Sequence, residues 1–382
     1  MSYDLIVIGA GIIGSAVAES CARRGLHVLV LEAGIPAAGT TAAGMGHLVV
    51  LDDNPAELAL SQDGLRRWQA RSVELPSHAE YRACGTLWLA SDTAEMDEAE
   101  RKRALYQQYG LQSQLLTGSV LRQLEPNLSP HLAGALQVPG DAVLYPPVAS
   151  AWLLAQACHL GAELRRHSPV QALLPQGVQL RDGSELSAGQ VVIAAGNASA
   201  TLLPGLPLKP RKGQLLITDR YPGMVRHQLV ELGYIRSAHG GEADSVACNI
   251  QPRATGQLLI GSSRQYHDAD PAISWPLLQT MLTRACDYLP GLATLQALRS
   301  WAGFRPATPD KLPLLGPVPG QTGCWLATGH EGLGITTALA SAELLAQMLT
   351  NEPTTLDPRP YDPARFGSWQ TPPQAVAMEL TT

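Results

Sequence analysis

The sequence has little of what marks several large protein classes. Its 382 residues include only six cysteines, and none of them forms a CxxC pair. This scatter argues against a disulfide framework and against a thiolate metal or iron–sulfur site, so we expect reduced thiols and no metal. Lys and Arg number 27 against 33 Asp and Glu, for a net charge of -6. There is no basic excess for nucleic acid.

Long apolar runs are missing as well. The first run, residues 5–8, follows Asp4 and is interrupted by Gly9, which is unlike a signal peptide or a membrane span. No other run is long enough to cross a bilayer. We expect a cytoplasmic protein without a transmembrane segment, with a peripheral position at the inner membrane as the alternative.

What is present begins with two strands that flank a glycine-rich turn. Residues 5–8, and residues 27–31 after His27, have the unbroken apolar character of strands buried on both faces. Between them, Gly9, Gly11 and Gly14 form a GxGxxG turn that opens a helix, and Glu32 follows the second strand. The first glycine permits the tight turn, the second a close approach to pyrophosphate, and the third close packing, while the acid accepts from ribose hydroxyls. The segment predicts a dinucleotide site.

Three later segments favour FAD over NAD. Residues 39–46 form a small-residue loop in which Thr40 and Thr41 can donate to pyrophosphate, and residues 193–196 end a strand on small residues. Residues 329–336 open the last long helix, whose N-terminal N–H groups could stabilise negative charge on a reduced flavin. An NAD enzyme needs no segment near its C-terminus that comes back to the cofactor in this way.

Taken in order, these segments and residues 303–310 resemble the D-amino-acid-oxidase superfamily of FAD-dependent oxidoreductases. The finer resemblance, carried by residues 259–265 and 329–336, is to glycine oxidase and most closely to the beta-type subunits of hydrogen cyanide synthase and D-hydroxyproline dehydrogenase. No Cys lies between 301 and 310, so non-covalent FAD is implied. The expected cofactor contacts are Gly9, Gly11, Ile12, Ile13, Gly14, Glu32, Ala33, Thr40, Thr41, Ala43, Gly44, Met45, Gly46, Val170, Ala195, Gly196, Arg305, Gly332, Leu333, Gly334, Ile335 and Thr336.

The implied fold is α/β, with a Rossmann-like FAD-binding domain interleaved with an α+β substrate domain built on a mainly antiparallel sheet. The FAD-binding domain is expected at residues 1–84, 141–210 and 301–365. The substrate domain is expected at 85–140 and 211–300, and a tail at 366–382. In more local terms, we expect the charged helical stretch at 94–109 to present a solvated face, and Lys209, Arg211 and Lys212 to form a solvated hinge. Residues 301–330 are expected to be loops and short strands.

The substrate side is centred on Arg305. A guanidinium holds a carboxylate through two parallel hydrogen bonds, and Arg305 matches the family's carboxylate-binding arginine. His47, just past the flavin loop, is a second catalytic candidate. Glu331 could attract a substrate ammonium or cap the last helix at Gly332. Tyr234 and Tyr266 are further candidates for substrate contact.

The leading interpretation is an FAD-dependent dehydrogenase that oxidises a small or cyclic amino acid, similar to D-hydroxyproline or D-proline, by hydride transfer to flavin N5. It would be the catalytic subunit of an oligomeric complex and pass electrons to partner subunits or another acceptor. A glycine- or sarcosine-type oxidase that uses O2 is the first alternative. The others are a non-catalytic flavin-binding subunit and a tRNA-modifying relative, against which the acidic composition counts.

Overall fold

The computed structural model describes residues 2–51, 54–233, 244–266, 268–367 and 369, and it has two large sheets. Within these residues, every helix is too short or too polar to cross a bilayer. The strands are β1 (Tyr3–Ile8), β2 (Val28–Leu31), β3 (His47–Leu48), β4 (Thr86–Ala90), β5 (Gln114–Thr117), β6 (Gly134–Val138), β7 (Ala142–Val143), β8 (Glu163–Arg165), β9 (Val170–Leu174), β10 (Gly177–Leu180), β11 (Glu185–Ile193), β12 (Lys209–Thr218), β13 (Gln228–Glu231), β14 (Ser245–Pro252), β15 (Leu258–Arg264), β16 (Ala297–Ala307), β17 (Leu314–Pro317) and β18 (Cys324–Thr328).

The helices alternate with these strands. They are α1 (Ile12–Ala22), α2 (Thr40–Ala43), α3 (Pro55–Arg71), α4 (Thr93–Gln108), α5 (Gly118–Leu124), α6 (Pro146–His159), α7 (Ser199–Leu202), α8 (Trp275–Tyr288) and α9 (Gly334–Leu349). Short 3₁₀ turns cover Ser72–Glu74, Ser77–Ala79, Gly196–Ala198, Pro290–Thr294, Arg359–Tyr361 and Pro363–Phe366.

The first sheet has the order β17-β18-β11-β1-β2-β8, and β9 and β10 extend it from β11. β1 pairs in parallel with β2 on one side and β11 on the other. The apolar residues of β1 and β2 are buried because helices α1, α6 and α9 pack together in the core that covers one face of this sheet. The chain order therefore reverses at β1, and in such sheets ligands bind beyond the carboxyl ends of the strands at this point.

The second sheet has the order β16-β12-β15-β14-β13-β4-β6-β5 and is antiparallel except where β13 pairs with β4. Successive side chains of its strands point to opposite faces of the sheet. One face packs under α8 in a second core, and the other faces the first sheet's domain. The predicted fold class, an α/β FAD-binding domain with a mainly antiparallel second sheet, is confirmed. The domain boundaries remain a proposal, and the one at residue 300 falls inside β16.

Three local expectations need correction. The charged helix α4 has the expected solvated face, on which Asp97, Glu100 and Arg101 are exposed. Its other face is buried, and Lys102 lies there between the rings of Trp88 and Tyr106. Arg211 and Lys212 are buried residues of β12 and form no solvated hinge; Lys212 Nζ lies 2.7 Å from an Asp268 carboxylate oxygen. Trp88 and Asp268 lie on other parts of the fold than Lys102 and Lys212, so the local charge pattern could not reveal these two contacts.

The third correction concerns residues 301–330. β16 is a single strand of 11 residues that pairs with nearly all of β12. Gly303 and Pro306 are residue types that favour turns and loops, but both lie within this strand pairing, opposite Gly213 and Pro210. Long-range strand pairing therefore overrides the turn preference of these residues.

Candidate active site

One cavity of about 490 Å³ runs from the glycine-rich turn after β1 to the second sheet. Side chains from both sheets line it. Its walls are small residues near Gly9 and Gly196, and larger ones on β4, β13 and β16. The cavity therefore joins the predicted dinucleotide site to the predicted substrate side.

The turn after β1 has the geometry that the sequence predicts. Gly9 has φ +103°, and a Cβ there would lie 2.7 Å from the Ala194 carbonyl oxygen. A Cβ at Gly14 would overlap the Gly9 carbonyl. Only glycine fits both places, so strands β1 and β11 and helix α1 come close together at the cavity.

The N-terminus of α1 points toward the cavity, and Thr41 faces it. The Ile12 N–H donates to Thr41 Oγ1 at 3.0 Å, and Gly11, which precedes the helix, has no side-chain cap. Thr40 Oγ1 donates to the Phe304 carbonyl at 2.7 Å, which ties the loop to β16. Thr41 thus takes the Ile12 N–H, and the N–H groups that follow it in the first turn of α1 are suited to pyrophosphate.

Glu32 lies at the end of β2 and lines the cavity. One carboxylate oxygen accepts from the Ala10 N–H at 2.9 Å, and the other accepts from the Gly34 N–H at 2.7 Å. These bonds fix the carboxylate, while each oxygen keeps lone pairs that can accept from ribose hydroxyls.

Arg305 projects from β16 over β12, at the place where β12 has a glycine. An added Cβ at Gly213 would lie 2.5 Å from Arg305 Nη1 and 2.6 Å from Nη2, so the guanidinium rests directly on the glycine. Arg305 Nη1 also donates to the Ser263 carbonyl at 3.1 Å. Glycine at 213 thus makes the room that holds this cation against the cavity wall.

His47 lines the same cavity and is held in its neutral form. The pKa of His47 is lowered to about 4, mainly by burial and in smaller part by the positive charge of Arg305, while a hydrogen bond with Gln228 opposes the shift. His47 Nε2 lies 3.1 Å from Asn249 Nδ2. A neutral imidazole at this place adds no second positive charge beside Arg305.

Glu331 belongs to a buried ion pair. Its carboxylate contacts the guanidinium of Arg211, which also donates to the Tyr266 hydroxyl at 3.0 Å. The predicted helix cap is wrong, because α9 begins at Gly334, and the Leu333 before it makes no side-chain cap. A substrate ammonium would have to share the Glu331 carboxylate with Arg211.

His330, next to Glu331, is a second neutral imidazole at the cavity. Burial lowers its pKa to about 3, and its Nε2 lies 3.1 Å from Ser341 Oγ on α9. It holds the turn before α9 against that helix. His330 thus supports the start of α9 without adding a positive charge to the turn.

Most of the predicted site residues meet at the cavity. They are Gly9, Gly11, Ile12, Ile13, Glu32, Thr40, Thr41, Ala43, Gly44, Met45, His47, Ala195, Gly196, Arg305, Glu331, Gly332, Leu333, Gly334 and Ile335. The remaining described ones, which are not among its lining residues, are Gly14, Ala33, Gly46, Val170, Tyr266 and Thr336. Tyr234 lies outside the described residues.

Thr336 has a different place from the one expected. Its hydroxyl donates to the His47 carbonyl at 3.0 Å and accepts from the Val49 N–H at 3.2 Å. It therefore fixes the strand that carries His47 to the start of α9. A role for its side chain in cofactor contact stays a prediction.

Several lining residues were not predicted from the sequence. Asn197 donates to the Phe304 carbonyl at 2.9 Å, where it holds β16 next to the end of β11. Trp88, Gln228, Val230 and Asn249 line the cavity from the second sheet. Strand alternation could have grouped these four on one face, but it cannot tell which face a distant helix covers.

A family model described as "FAD dependent oxidoreductase" matches residues 4–348. The chain belongs to this family. It is 31% identical to a glycine oxidase from Pseudomonas putida, over 95% of this chain and 99% of that one. It is 27% identical to the hydrogen cyanide synthase subunit HcnC from Pseudomonas aeruginosa, over 99% of each chain. The crystal structure of glycine oxidase from Geobacillus kaustophilus has a TM-score of 0.85, with 27% identity over 95% of this chain and 99% of that one.

These findings confirm the predicted superfamily and the FAD cofactor. The residues also fit the group. The turn at Gly9 and Gly14 admits no side chain, α1 offers N–H groups, and Glu32 has a fixed carboxylate. Ala43 and Gly303 meet so closely that a Cβ on the glycine would overlap the Ala43 methyl group, so no side chain fits at Gly303 in this part of the cavity lining.

Proposed function

We propose that this family member is the catalytic subunit of an FAD-dependent dehydrogenase that oxidises a small or cyclic amino acid, such as D-proline or D-hydroxyproline, to its imine. The position of Arg305 carries the proposal. Its guanidinium lies over Gly213 in the cavity that also contains the dinucleotide turn. A cation so fixed can hold a carboxylate bidentately and thereby orient the α-carbon.

The protein's part in the reaction is orientation and electrostatics. FAD, when bound, supplies the acceptor of the α-C–H hydride at N5. Arg305 binds the substrate carboxylate, and His47, which is uncharged, adds no positive charge of its own beside this cation. Holding the reacting atoms in place accounts for much of the rate enhancement, so no strong protein base is needed. The imine then hydrolyses, or stays cyclic if the amine was in a ring.

An oxidase that uses O2 is the second candidate, and the 31% identity to a protein named glycine oxidase favours it. The similarity to a protein named as a hydrogen cyanide synthase subunit supports the dehydrogenase and its partner subunits. An oligomeric complex in the cytoplasm or at the inner membrane belongs to the same proposal. Peroxide release during turnover in air, compared with reduction of an artificial dye, distinguishes the two.

Anaerobic titration of the FAD-loaded protein tests the proposal. Glycine, sarcosine, proline and hydroxyproline, in both enantiomers where these exist, are added while the flavin absorbance is followed. We expect at least one cyclic amino acid to bleach the flavin, and Arg305→Leu to slow that bleaching strongly with FAD still bound. If no amino acid reduces the wild-type flavin, the proposal is wrong.

A further inference from the structure

Beyond Arg305 and His47, the cavity reaches a row of side chains on three neighbouring strands. Val230 on β13 lies opposite Trp88 on β4 and opposite Asn249 on β14. All three line the cavity, and Asn249 Nδ2 lies 3.1 Å from His47 Nε2. The row therefore begins at the predicted catalytic residues and ends on two apolar side chains.

Strand alternation separates this row from the core of the second sheet. Leu87 and Leu229, the neighbours of the two apolar residues, point to the opposite face and pack in the core that includes α8. Trp88 and Val230 are 3% and 4% exposed. They form an apolar surface at this end of the cavity.

The indole of Trp88 is held from behind. Lys102 Nζ lies 4.8 Å from the ring centroids of both Trp88 and Tyr106, which is within the range of a cation–π contact. The Tyr106 hydroxyl donates to the Val50 carbonyl at 2.8 Å, on the segment that follows His47. The buried Lys102 charge also acts on the buried Asp141 carboxyl. An indole clamped in this way cannot swing aside for a larger ligand without breaking these contacts.

We propose that Trp88 and Val230 form the end wall of the substrate side-chain pocket and set the largest side chain or ring that the enzyme accepts. The inference rests on the proposed function, in which a carboxylate lies on Arg305. Compact apolar side chains or rings fit in front of this wall, and long aliphatic or aromatic ones meet it. Trp88 and Val230 are thus specificity residues, and Lys102 is a positioning residue behind them.

The test enlarges and shrinks the pocket at one position. Val230→Ala and Val230→Leu are compared with wild type as FAD-loaded full-length protein, and kcat/KM is measured for alanine, valine, leucine and phenylalanine in both enantiomers. One methylene in an apolar pocket changes kcat/KM by about 10- to 200-fold. We expect the leucine-to-alanine ratio of kcat/KM to rise about 10-fold or more in Val230→Ala and to fall in Val230→Leu. Trp88→Phe should also raise this ratio.

Leu229→Ala is the matched control, on the same strand but on the opposite face. It should lower the melting temperature and leave the ratio unchanged. The proposed end wall is wrong if the leucine-to-alanine ratio of kcat/KM is equal in wild type and both Val230 variants. It is also wrong if this ratio changes in Leu229→Ala as it does in Val230→Ala.

A binding measurement separates this inference from the proposed function. The Kd values of acetate, butanoate and hexanoate are read from the perturbation of the flavin spectrum. If no amino acid reduces the wild-type flavin, the proposed function fails, but the wall still predicts that Val230→Ala tightens hexanoate relative to acetate. If the ratio of the hexanoate Kd to the acetate Kd is the same in all variants, Trp88 and Val230 do not form the end wall, whatever the substrate is.

Discussion

Gly213→Ala would move the carboxylate-binding cation without removing any charge. The new Cβ would lie 2.5–2.7 Å from three guanidinium atoms of Arg305, whereas ordinary contact begins at 3.4 Å. The guanidinium must therefore retreat by roughly 1 Å, and a misplacement of about 1 Å costs about 100-fold in rate. We expect kcat/KM to fall about 100-fold, which corresponds to about 2.7 kcal/mol of transition-state stabilisation.

The assay compares this variant with Gly140→Ala, where the nearest atom to an added Cβ is Gln69 Nε2 at 3.8 Å. Neither glycine has a positive φ, so the backbone tolerates alanine at both positions. The measured quantities are kcat/KM, the Kd of pyrrole-2-carboxylate from the flavin spectrum, and the melting temperature. If Gly213→Ala binds this carboxylate and turns over substrate as well as wild type does, Arg305 is not the carboxylate anchor.

Three other changes test the site and its surroundings. Thr41→Val removes the acceptor of the Ile12 N–H; since a buried unsatisfied donor costs about 1–3 kcal/mol, the free energy of unfolding in urea should fall by about that amount, while Thr41→Ser stays near wild type. Burial lowers the pKa of His47 from 6.5 to about 4, so stability is lost as pH falls between these values, and His47→Gln should reduce that loss in urea unfolding. Burial raises the pKa of Asp141 from 3.8 to about 7, so stability is lost as pH rises through this range, and Asp141→Asn should flatten that slope; an unchanged slope would contradict the assignment.

The features that the sequence predicts correctly are local ones. The turn at Gly9 to Gly14 is a strand, a turn and a helix in direct succession, so its residue types determine its geometry. The place of Arg305 at the cavity agrees with a short motif within one strand, and its role in carboxylate binding stays a prediction. A signal contained in one short stretch of sequence can be read without knowing the distant contacts that surround it.

The features that were missed depend on strand register. Nothing near Gly213 in the sequence indicates that Arg305 lies over it. Strands β13, β14 and β15 come between β12 and β16 along the chain, although β12 and β16 pair in the sheet. The same holds for Arg211, expected in a solvated hinge, and for Glu331, expected to attract a substrate ammonium or to cap a helix; the two form one buried ion pair. The charged helix α4 looked solvated because its pattern does not show that Lys102 meets Trp88 across the fold.

The most direct test of the account is anaerobic reduction of the flavin by D-proline, compared with pyrrolidine, which has the same ring and no carboxylate. If Arg305 orients the substrate through its carboxylate, D-proline or its hydroxylated form bleaches the flavin and pyrrolidine does so at least about 100-fold more slowly, and Arg305→Leu abolishes the difference. Equal rates for the two compounds in the wild-type protein, or bleaching by neither amino acid, would contradict the account.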